Sequence, residues 1–422
     1  MNRGIVTRRV RRPVGARGFT LIELLVAIMA GLLVAAAAVS FSRQSTRFFS
    51  QEARIAAAQM SVLAGFQRLQ ADLSRAAYMS TTDMGRDYRF ERLCAPDYAA
   101  WPVAVQDLTS LSIIVESGKS DRIRISGNLD SSEMFPVLTI ADEGAGGHTV
   151  YLQENNGPMT RAGFVSGGAG DAEFKNVFKP GRLLRIVDQQ GKMEFEVIRA
   201  AEYETVPKIE TVGRLPLKGE LSTGAGVTNV PCGIGGFGIG VLANPVSMVE
   251  YQIADLKAAD VSPYNETIYD PAFQVEGSDD NRTELVRNEW LFSLDIPTGE
   301  TDPVWTAENA PEIVAEFAVD LRVGVWSTKL GKLEYFEGGD AEAETKPSDD
   351  EPGSAVTGPT AVRSVNLRLV VRSREADRDT DTDKSELPAG FMLRAPMPND
   401  RFARARTLMA NVALMNHRGD AW

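Results

Sequence analysis

A glycine-rich segment is the first candidate for chemistry in this chain. Gly233-Ile234-Gly235-Gly236-Phe237-Gly238 has the spacing GxGxxG, and Asp255 follows at a distance suited to a ribose hydroxyl. Such glycines cradle a dinucleotide where a strand enters the loop and a helix leaves it. The flanking sequence predicts no βαβ unit, and no glycine-rich stretch carries a P-loop lysine. We interpret the segment as a tightly turning loop and predict no nucleotide cofactor.

Alternating aspartates form a second candidate, because calcium prefers carboxylate ligands at such spacing. They are Asp377, Asp379, Asp381 and Asp383. The glycine at the sixth position and the glutamate at the twelfth position of an EF-hand loop are both absent. The alternation allows weak calcium binding, but the missing residues favour a solvated acidic turn. We therefore predict that the protein needs no cofactor.

Histidine and cysteine are scarce, with two residues of each type. They form no cluster with zinc-ligand spacing. A serine nucleophile would have to use His148, in a glycine-rich loop before a predicted strand, because His417 lies in the terminal tail. Carboxylates are plentiful, but nothing singles out a glycosidase pair. The sequence thus predicts no enzymatic activity. Cys94 and Cys232 are either two buried thiols or, outside the cytoplasm, one long-range disulfide.

The bulk composition is that of a globular protein with an acidic surface. The chain has 422 residues, enough for one large domain or two ordinary ones. Of these residues, 43% are hydrophobic and 24% are charged. Its formal net charge of −12 argues against nucleic acid as a partner, since phosphate binding requires a basic surface. The segment 1–18 holds six arginines and no acid, so its removal makes the remainder still more negative.

An apolar run that follows this basic segment contains a single charged residue, Glu23. The run extends from Phe19 to about Phe41, long enough for a helix that crosses a bilayer, with the arginines keeping its N-terminal end cytoplasmic. No Ala-x-Ala site closes the run, so the candidate cleavage point lies before it, between Gly18 and Phe19. Glu23 inside this run costs about 2.5–3.5 kcal/mol on insertion scales, and so requires a partner. The partner is the amine that cleavage creates at Phe19; the alternative is a shallow glutamate that snorkels to the interface.

Arg17-Gly18-Phe19-Thr20-Leu21-Ile22-Glu23 resembles the cleavage and methylation motif of type IV pilins and type II secretion pseudopilins. The resemblance implies that a prepilin peptidase cuts after Gly18, that Phe19 is N-methylated, and that Glu23 forms the charge pair that guides assembly. Many major pilins carry a proline in the apolar stretch, but none occurs here before the globular region. We therefore expect a helix without a proline kink, although Gly31 could soften it.

Four later segments are similar to parts of PilW-type minor pilins, and the same short motifs occur in J-type pseudopilins. They are Val249–Ile253 with Glu284–Arg287, Val365–Ser373, and Arg404 through Asn416. Met415 stands where an arginine is more usual, so this chain lacks whatever role that arginine has.

The resemblance and the periodicity together predict an α+β fold: a long N-terminal pilin helix packed on a large, mainly antiparallel β-sheet head with long loops. The expected parts are a leader at 1–18 that is removed, a transmembrane and filament-core helix at 19–42, its amphipathic continuation at 43–80, and a β-rich head at 81–422. The apolar stripe of the continuation comprises Ile55, Val62, Phe66, Leu69, Leu73 and Ala76. Strands are predicted at 111–115, 122–125, 183–187, 193–198, 247–253, 284–294, 313–325 and 362–371. The acidic stretch 338–360 is predicted to be a disordered loop.

By resemblance, the protein is expected to be a minor type IV pilus subunit that initiates pilus assembly and forms the tip complex, supporting twitching motility and adhesion. Its partners would be prepilin peptidase, other minor and major pilins, the inner-membrane assembly platform and a large tip adhesin. The precursor would sit in the inner membrane with its head in the periplasm and then move to the surface pilus. The alternatives are a J-type pseudopilin of type II secretion and an adhesive, ligand-binding tip module.

Overall fold

The computed structural model describes residues 20–87, 89, 108–142, 148–187, 191, 193–212, 240–256, 282–293, 305–307, 311–329, 331–347, 358–374, 394–397 and 401–417. The chain divides into two compact units, Met1–Gln59 and Met60–Trp422. The helix α1 (Leu21–Ser74) contributes its first part to one unit and its last part to the other. It is continuous through Gly31, as expected for a stretch without proline.

In the first unit, the segment Leu21–Thr46 of α1 is long and apolar enough to cross a membrane. Its 26 residues span roughly 39 Å as a helix. Large apolar side chains project from all sides of it and are exposed, among them Leu21, Ile28, Leu33 and Phe41. A helix that is apolar all round is stable only in apolar surroundings, so this segment needs a bilayer or other helices about it.

The second unit begins with the last turns of α1, which end where the backbone changes hand. Ala77 and Met79 adopt positive φ values of 60° and 49°, and this terminates the helix shortly before the predicted residue 80. The turn is fixed to the head, because the Ala77 N–H donates to the Ser126 carbonyl at 3.0 Å.

A first sheet of eleven strands forms much of the second unit, and each pairing between its strands is antiparallel. Its strands are β1 (Leu111–Ile114), β2 (Arg122–Gly127), β3 (Phe135–Asp142), β4 (His148–Leu152), β5 (Leu183–Val187), β6 (Met193–Glu202), β7 (Lys208–Thr211), β8 (Leu242–Ala254), β9 (Glu284–Phe292), β10 (Trp305–Ala307) and β11 (Glu312–Ala315). The strand β8 is shared: residues 242–246 pair with β5, and residues 247–254 pair with β2 and β9.

A second, five-stranded sheet has the order β13-β12-β14-β16-β15. Its strands are β12 (Ala318–Lys329), β13 (Lys332–Glu337), β14 (Val362–Arg372), β15 (Arg394–Met397) and β16 (Arg401–Ala413). Its inward-facing residues alternate along β12 and β14, as a half-buried sheet requires.

The main core lies between the last turns of α1 and both sheets. The predicted stripe on α1 is confirmed from Val62 onward, with Phe66, Leu69 and Leu73 fully or almost fully buried; the side chain of Ile55 lies outside the described part. Gly65 permits the close approach, because a Cβ there would lie 2.1 Å from the Val314 carbonyl oxygen. The expectation that the helix packs on a β-sheet is therefore correct.

A second core, here called the aromatic lobe, is built from β3–β7 with two short helices, α2 (Gly157–Arg161) and α3 (Gly168–Val177). Phe174 packs against Phe178 with ring centroids 4.8 Å apart and against Phe164 at 5.2 Å. A strand was predicted after His148, where β4 lies, but these helices and the strands β3 and β7 were not predicted, because their periodicity is weak.

Two predicted elements differ from the structure. The single strand expected at 313–325 is divided between the two sheets, because Phe317 adopts a φ of 54° and turns the chain between β11 and β12. The stretch 338–360, expected as a disordered loop, holds a helix, α4 (Gly339–Glu344), and a 3₁₀ turn at Gly358–Ala361; residues 348–357 lie outside the described part. The helix is held by contacts that composition does not reveal: Ala341 is fully buried in the main core, and the Thr345 hydroxyl accepts from the Ile113 N–H at 2.9 Å.

Candidate functional site

The N-terminal turn of α1 holds Glu23 in a reciprocal pair with Thr20. The Thr20 backbone N–H donates to Glu23 Oε2 at 2.9 Å, and the Glu23 N–H donates to Thr20 Oγ1 at 3.3 Å. The Thr20 hydroxyl also donates to Glu23 Oε2 at 3.0 Å. This is a capping box, in which two of the unpaired N–H groups at a helix start are satisfied by side chains.

The capping box fixes the position of the Glu23 carboxylate. It draws the carboxylate back toward the first residue of the helix, where the positive end of the helix dipole also favours a negative charge. The expected partner of Glu23 was the amine of Phe19 alone, whereas Thr20 is a further partner in the structure. The spacing Thr-x-x-Glu at 20–23 was the signal that would have revealed Thr20 as well.

Several predicted site residues lie outside the described part of the chain. These are Gly18 and Phe19, both cysteines (Cys94 and Cys232), the glycine loop 233–238, and the aspartates Asp377, Asp379, Asp381 and Asp383. Asp255, expected as a possible ribose contact, directly follows β8, a strand with antiparallel neighbours. Parallel strands build a dinucleotide site, so this location does not favour one.

Both histidines belong to the β-rich unit. His148, expected in the loop before a strand, is the first residue of that strand, β4, and its Nδ1 lies 3.4 Å from Glu196 Oε1. His417, expected in a terminal tail, is instead fully buried, so that expectation was wrong. Its Nδ1 lies 2.9 Å from the Pro359 carbonyl oxygen, which can only accept, so Nδ1 carries the proton.

The buried His417 forms a serine–histidine pair that sequence reasoning missed. Its Nε2 accepts from the Ser110 hydroxyl at 2.9 Å, which is the distance between a nucleophile and its base. Both side chains are 0% exposed, so no substrate can reach the serine in this conformation. Burial lowers the pKa of His417 to about 4, in spite of the hydrogen bond to Pro359. The pair therefore fastens the end of the chain to the first sheet.

A buried ionic contact joins α1 to the first sheet within the second unit. Asp72, only 5% exposed, accepts from the Tyr251 hydroxyl at 2.7 Å and from Arg287 Nε at 2.9 Å. Burial and the Asp72 charge both raise the pKa of Tyr251. For Arg287, burial acts to lower the pKa, but Asp72 outweighs burial and raises it. These shifts keep Tyr251 neutral and Arg287 charged, so the contact holds at ordinary pH.

A second buried carboxylate, Glu284, lies at the junction of β9 with the second sheet. It is hydrogen-bonded to Arg282 and accepts from the Phe317 N–H at 2.9 Å. Burial raises the pKa of Glu284 to about 7, against the lowering influence of Arg282 and the Phe317 N–H. Among the residues that the structure describes, no group of three His, Cys, Asp or Glu side chains is placed to hold a metal ion.

Comparison with known proteins gives one match. The family model for the prokaryotic N-terminal methylation motif matches residues 15–39, a range that contains Gly18, Phe19 and Glu23. No curated protein and no solved structure matches the chain. The N-terminal segment is therefore that of a type IV pilin-like prepilin or pseudopilin, a class of structural subunits that prepilin peptidase processes and that assemble with other pilins. The motif and the apolar helix together indicate a membrane-anchored subunit.

Proposed function

We propose that this protein is a minor type IV pilus subunit of the PilW type that helps to initiate pilus assembly and forms part of the tip complex, supporting twitching motility and adhesion. The observation that carries the proposal is the placement of Glu23 at the start of the apolar segment of α1, inside the matched motif. The large β-rich head is consistent with a tip position, because a bulky domain would strain a regularly packed shaft.

The proposed mechanism begins with cleavage between Gly18 and Phe19. Cleavage removes the basic leader and creates a free amine at Phe19. This residue directly precedes Thr20, and consecutive Cα atoms are about 3.8 Å apart. The capping box already holds the Glu23 carboxylate against the Thr20 N–H. A terminal amine of the same or a neighbouring subunit can therefore neutralise Glu23 with little rearrangement, and leaving that charge unpaired in apolar surroundings would be costly.

The test compares Glu23→Gln with Glu173→Gln, a matched change at an exposed glutamate of α3. Glu23→Gln keeps hydrogen-bonding atoms for the cap but removes the charge, so we expect its incorporation into filaments to fall at least tenfold, with normal amounts in the membrane. Glu173→Gln should assemble normally. Sheared filaments and membranes are quantified by immunoblot. Normal incorporation of the Glu23 variant would contradict the mechanism.

Mass spectrometry of the mature N-terminus tests the processing step separately. We expect a chain that begins with N-methylated Phe19, whereas an intact Met1 would refute it. Deletion of the gene then distinguishes the two filament systems: loss of piliation and twitching supports the pilus, and loss of protein secretion supports a J-type pseudopilin.

A further inference from the structure

The outer face of the second sheet carries an aromatic pair with no role in the core. The residues of this face alternate along β12 and β14 with the buried residues Val323, Val325 and Val365. They therefore point away from the core. On this face, Trp326 of β12 lies opposite Tyr335 of β13, with ring centroids 5.2 Å apart. Tyr335 is 42% exposed and Trp326 is half-buried.

The tyrosine ring lies flat on the sheet because the adjacent position has no side chain. A Cβ at Gly324 would lie 2.2 Å from the Tyr335 hydroxyl oxygen, so only glycine permits this placement. The result is a shallow aromatic surface and not a protruding side chain. Aromatic rings with exposed faces attract the partly positive C–H groups of a ligand.

A row of uncharged polar side chains adjoins the aromatic pair. Gly324 is paired with Asn366, which is paired with Asn411, and Ser364 lies beside Trp326. Within the described part of the chain, the side chains of Asn366, Asn411 and Ser364 and the indole N–H of Trp326 make no hydrogen bond. Each amide offers both donors and acceptors, so the row can bind groups that are themselves donors and acceptors, as hydroxyls are.

Two carboxylates lie near this row. Glu337, opposite Gly324, accepts from the Tyr335 hydroxyl at 3.5 Å, and Asp320 is paired with arginines. Asp320 lies 3.1 Å from Arg322 Nε and 3.7 Å from an Arg368 nitrogen. The formal net charge of −12 also repels anionic ligands. The electrostatics of this face therefore suit an uncharged ligand.

We propose that this outer face binds an uncharged oligosaccharide, with one pyranose ring stacked on Tyr335 and Trp326 and its hydroxyls bonded to Asn366 and Asn411. A pyranose ring has the required chemistry, since it combines an apolar C–H face with an edge of hydroxyls. The proposal does not depend on the assembly role proposed above, because binding concerns the head of the isolated subunit.

The experiment uses the full chain in a detergent without sugar groups, because a glycoside detergent would compete for the site. Cellohexaose, chitohexaose and mannohexaose serve as neutral probes and a polygalacturonate hexamer as the anionic probe, each titrated by calorimetry. We expect at least one neutral probe to bind with a Kd between about 10 μM and 1 mM, and the anionic probe to bind more weakly.

Variants locate the binding. Tyr335→Ala and Trp326→Ala should each weaken it at least about tenfold, whereas Tyr335→Phe, which keeps the ring, should retain it. Leu138→Ala, at an exposed apolar residue of β3, is the matched control and should bind normally. Thermal melting verifies that each variant is folded.

Three outcomes would overturn the proposal. They are the failure of every neutral probe to bind, binding that survives both alanine changes, and tighter binding of the anionic probe. If the alanine variants instead lose co-purification of another pilin-like subunit while no oligosaccharide binds, the face is a subunit interface and the proposal is wrong.

Discussion

In the first unit, Leu32 and Leu33 of α1 are 63% and 72% exposed, whereas Leu69 and Leu73, in the second unit, are fully buried. Both pairs belong to one continuous helix, so helix formation itself does not distinguish them. The difference lies in the polar residues between the apolar ones: the first stretch has almost none, and the second confines its apolar residues to a stripe.

This contrast shows where each part of the helix obtains its stabilisation. The apolar stripe of α1 in the second unit is covered by the chain's own sheets, so this core is shielded from water without a partner. The apolar run of the first unit, from Leu21 to Phe41, has no polar face, and its exposed apolar side chains must be covered by lipid or by other subunits.

The contact that fixes the helix to the sheet should give the largest effect. Asp72→Ala leaves Arg287 and Tyr251 buried without their main partner, so we expect it to lower the free energy of unfolding by about 3–5 kcal/mol. Arg68→Ala, at a side chain 50% exposed, should cost less than about 0.5 kcal/mol. Urea denaturation of the full chain in detergent measures both. A loss below about 1 kcal/mol for Asp72→Ala would show that packing alone holds the helix.

A matched pair of leucines tests the contrast directly. Leu69→Ala opens a cavity in the main core and should lower the free energy of unfolding of the head by about 2–4 kcal/mol. Leu32→Ala removes the same atoms from an exposed position and should leave the unfolding of the head unchanged. Both are measured by circular dichroism of the sheet signal in urea. Equal effects at the two positions would contradict the assignment of Leu32 to an external partner.

The buried carboxylate Glu284 should make the stability of the head depend on pH. Its pKa is about 7 in the folded protein and about 4.5 in the unfolded chain, so the folded state binds the proton more tightly. This contribution to stability is complete below about pH 4.5 and is lost as the pH rises through 7. Glu284→Gln stays neutral throughout, so its stability relative to the natural protein should increase by about 2–3 kcal/mol across this range.

Comparing Glu284→Gln with the natural protein cancels the contributions of the other titrating groups to the pH dependence of stability. His417 titrates in the opposite sense, because its lowered pKa costs stability as the pH falls from 6.5 toward 4, but it does so equally in both. Thermal melts at half-unit intervals from pH 4 to pH 8 supply the difference. A difference that is flat with pH would refute the raised pKa of Glu284.

The sequence predicted the features that depend on local pattern. The apolar run, the stripe of α1 and strands rich in branched residues, such as β5 and β6, were predicted from periodicity and composition. The Thr20–Glu23 cap is equally local, since Thr-x-x-Glu before an apolar run is the sequence signature of a capping box.

Features that depend on distant residues were not predictable from the sequence alone. The partners of Asp72 lie 179 and 215 residues away, and His417 contacts Ser110 across 307 residues. Nothing local distinguishes a histidine near the end of the chain that is buried from one in a solvated tail. The flat placement of Tyr335 likewise depends on the register that sets it beside Gly324.

The strand β8 has a consequence for cooperativity. Its first residues pair with β5 beside the aromatic lobe, and its later residues carry Tyr251 into the main core. Neither core can lose its order without fraying a strand that the other core also uses. Because the 13 residues of β8 belong to both cores, we expect the aromatic lobe and the main core to unfold together and not as separate modules.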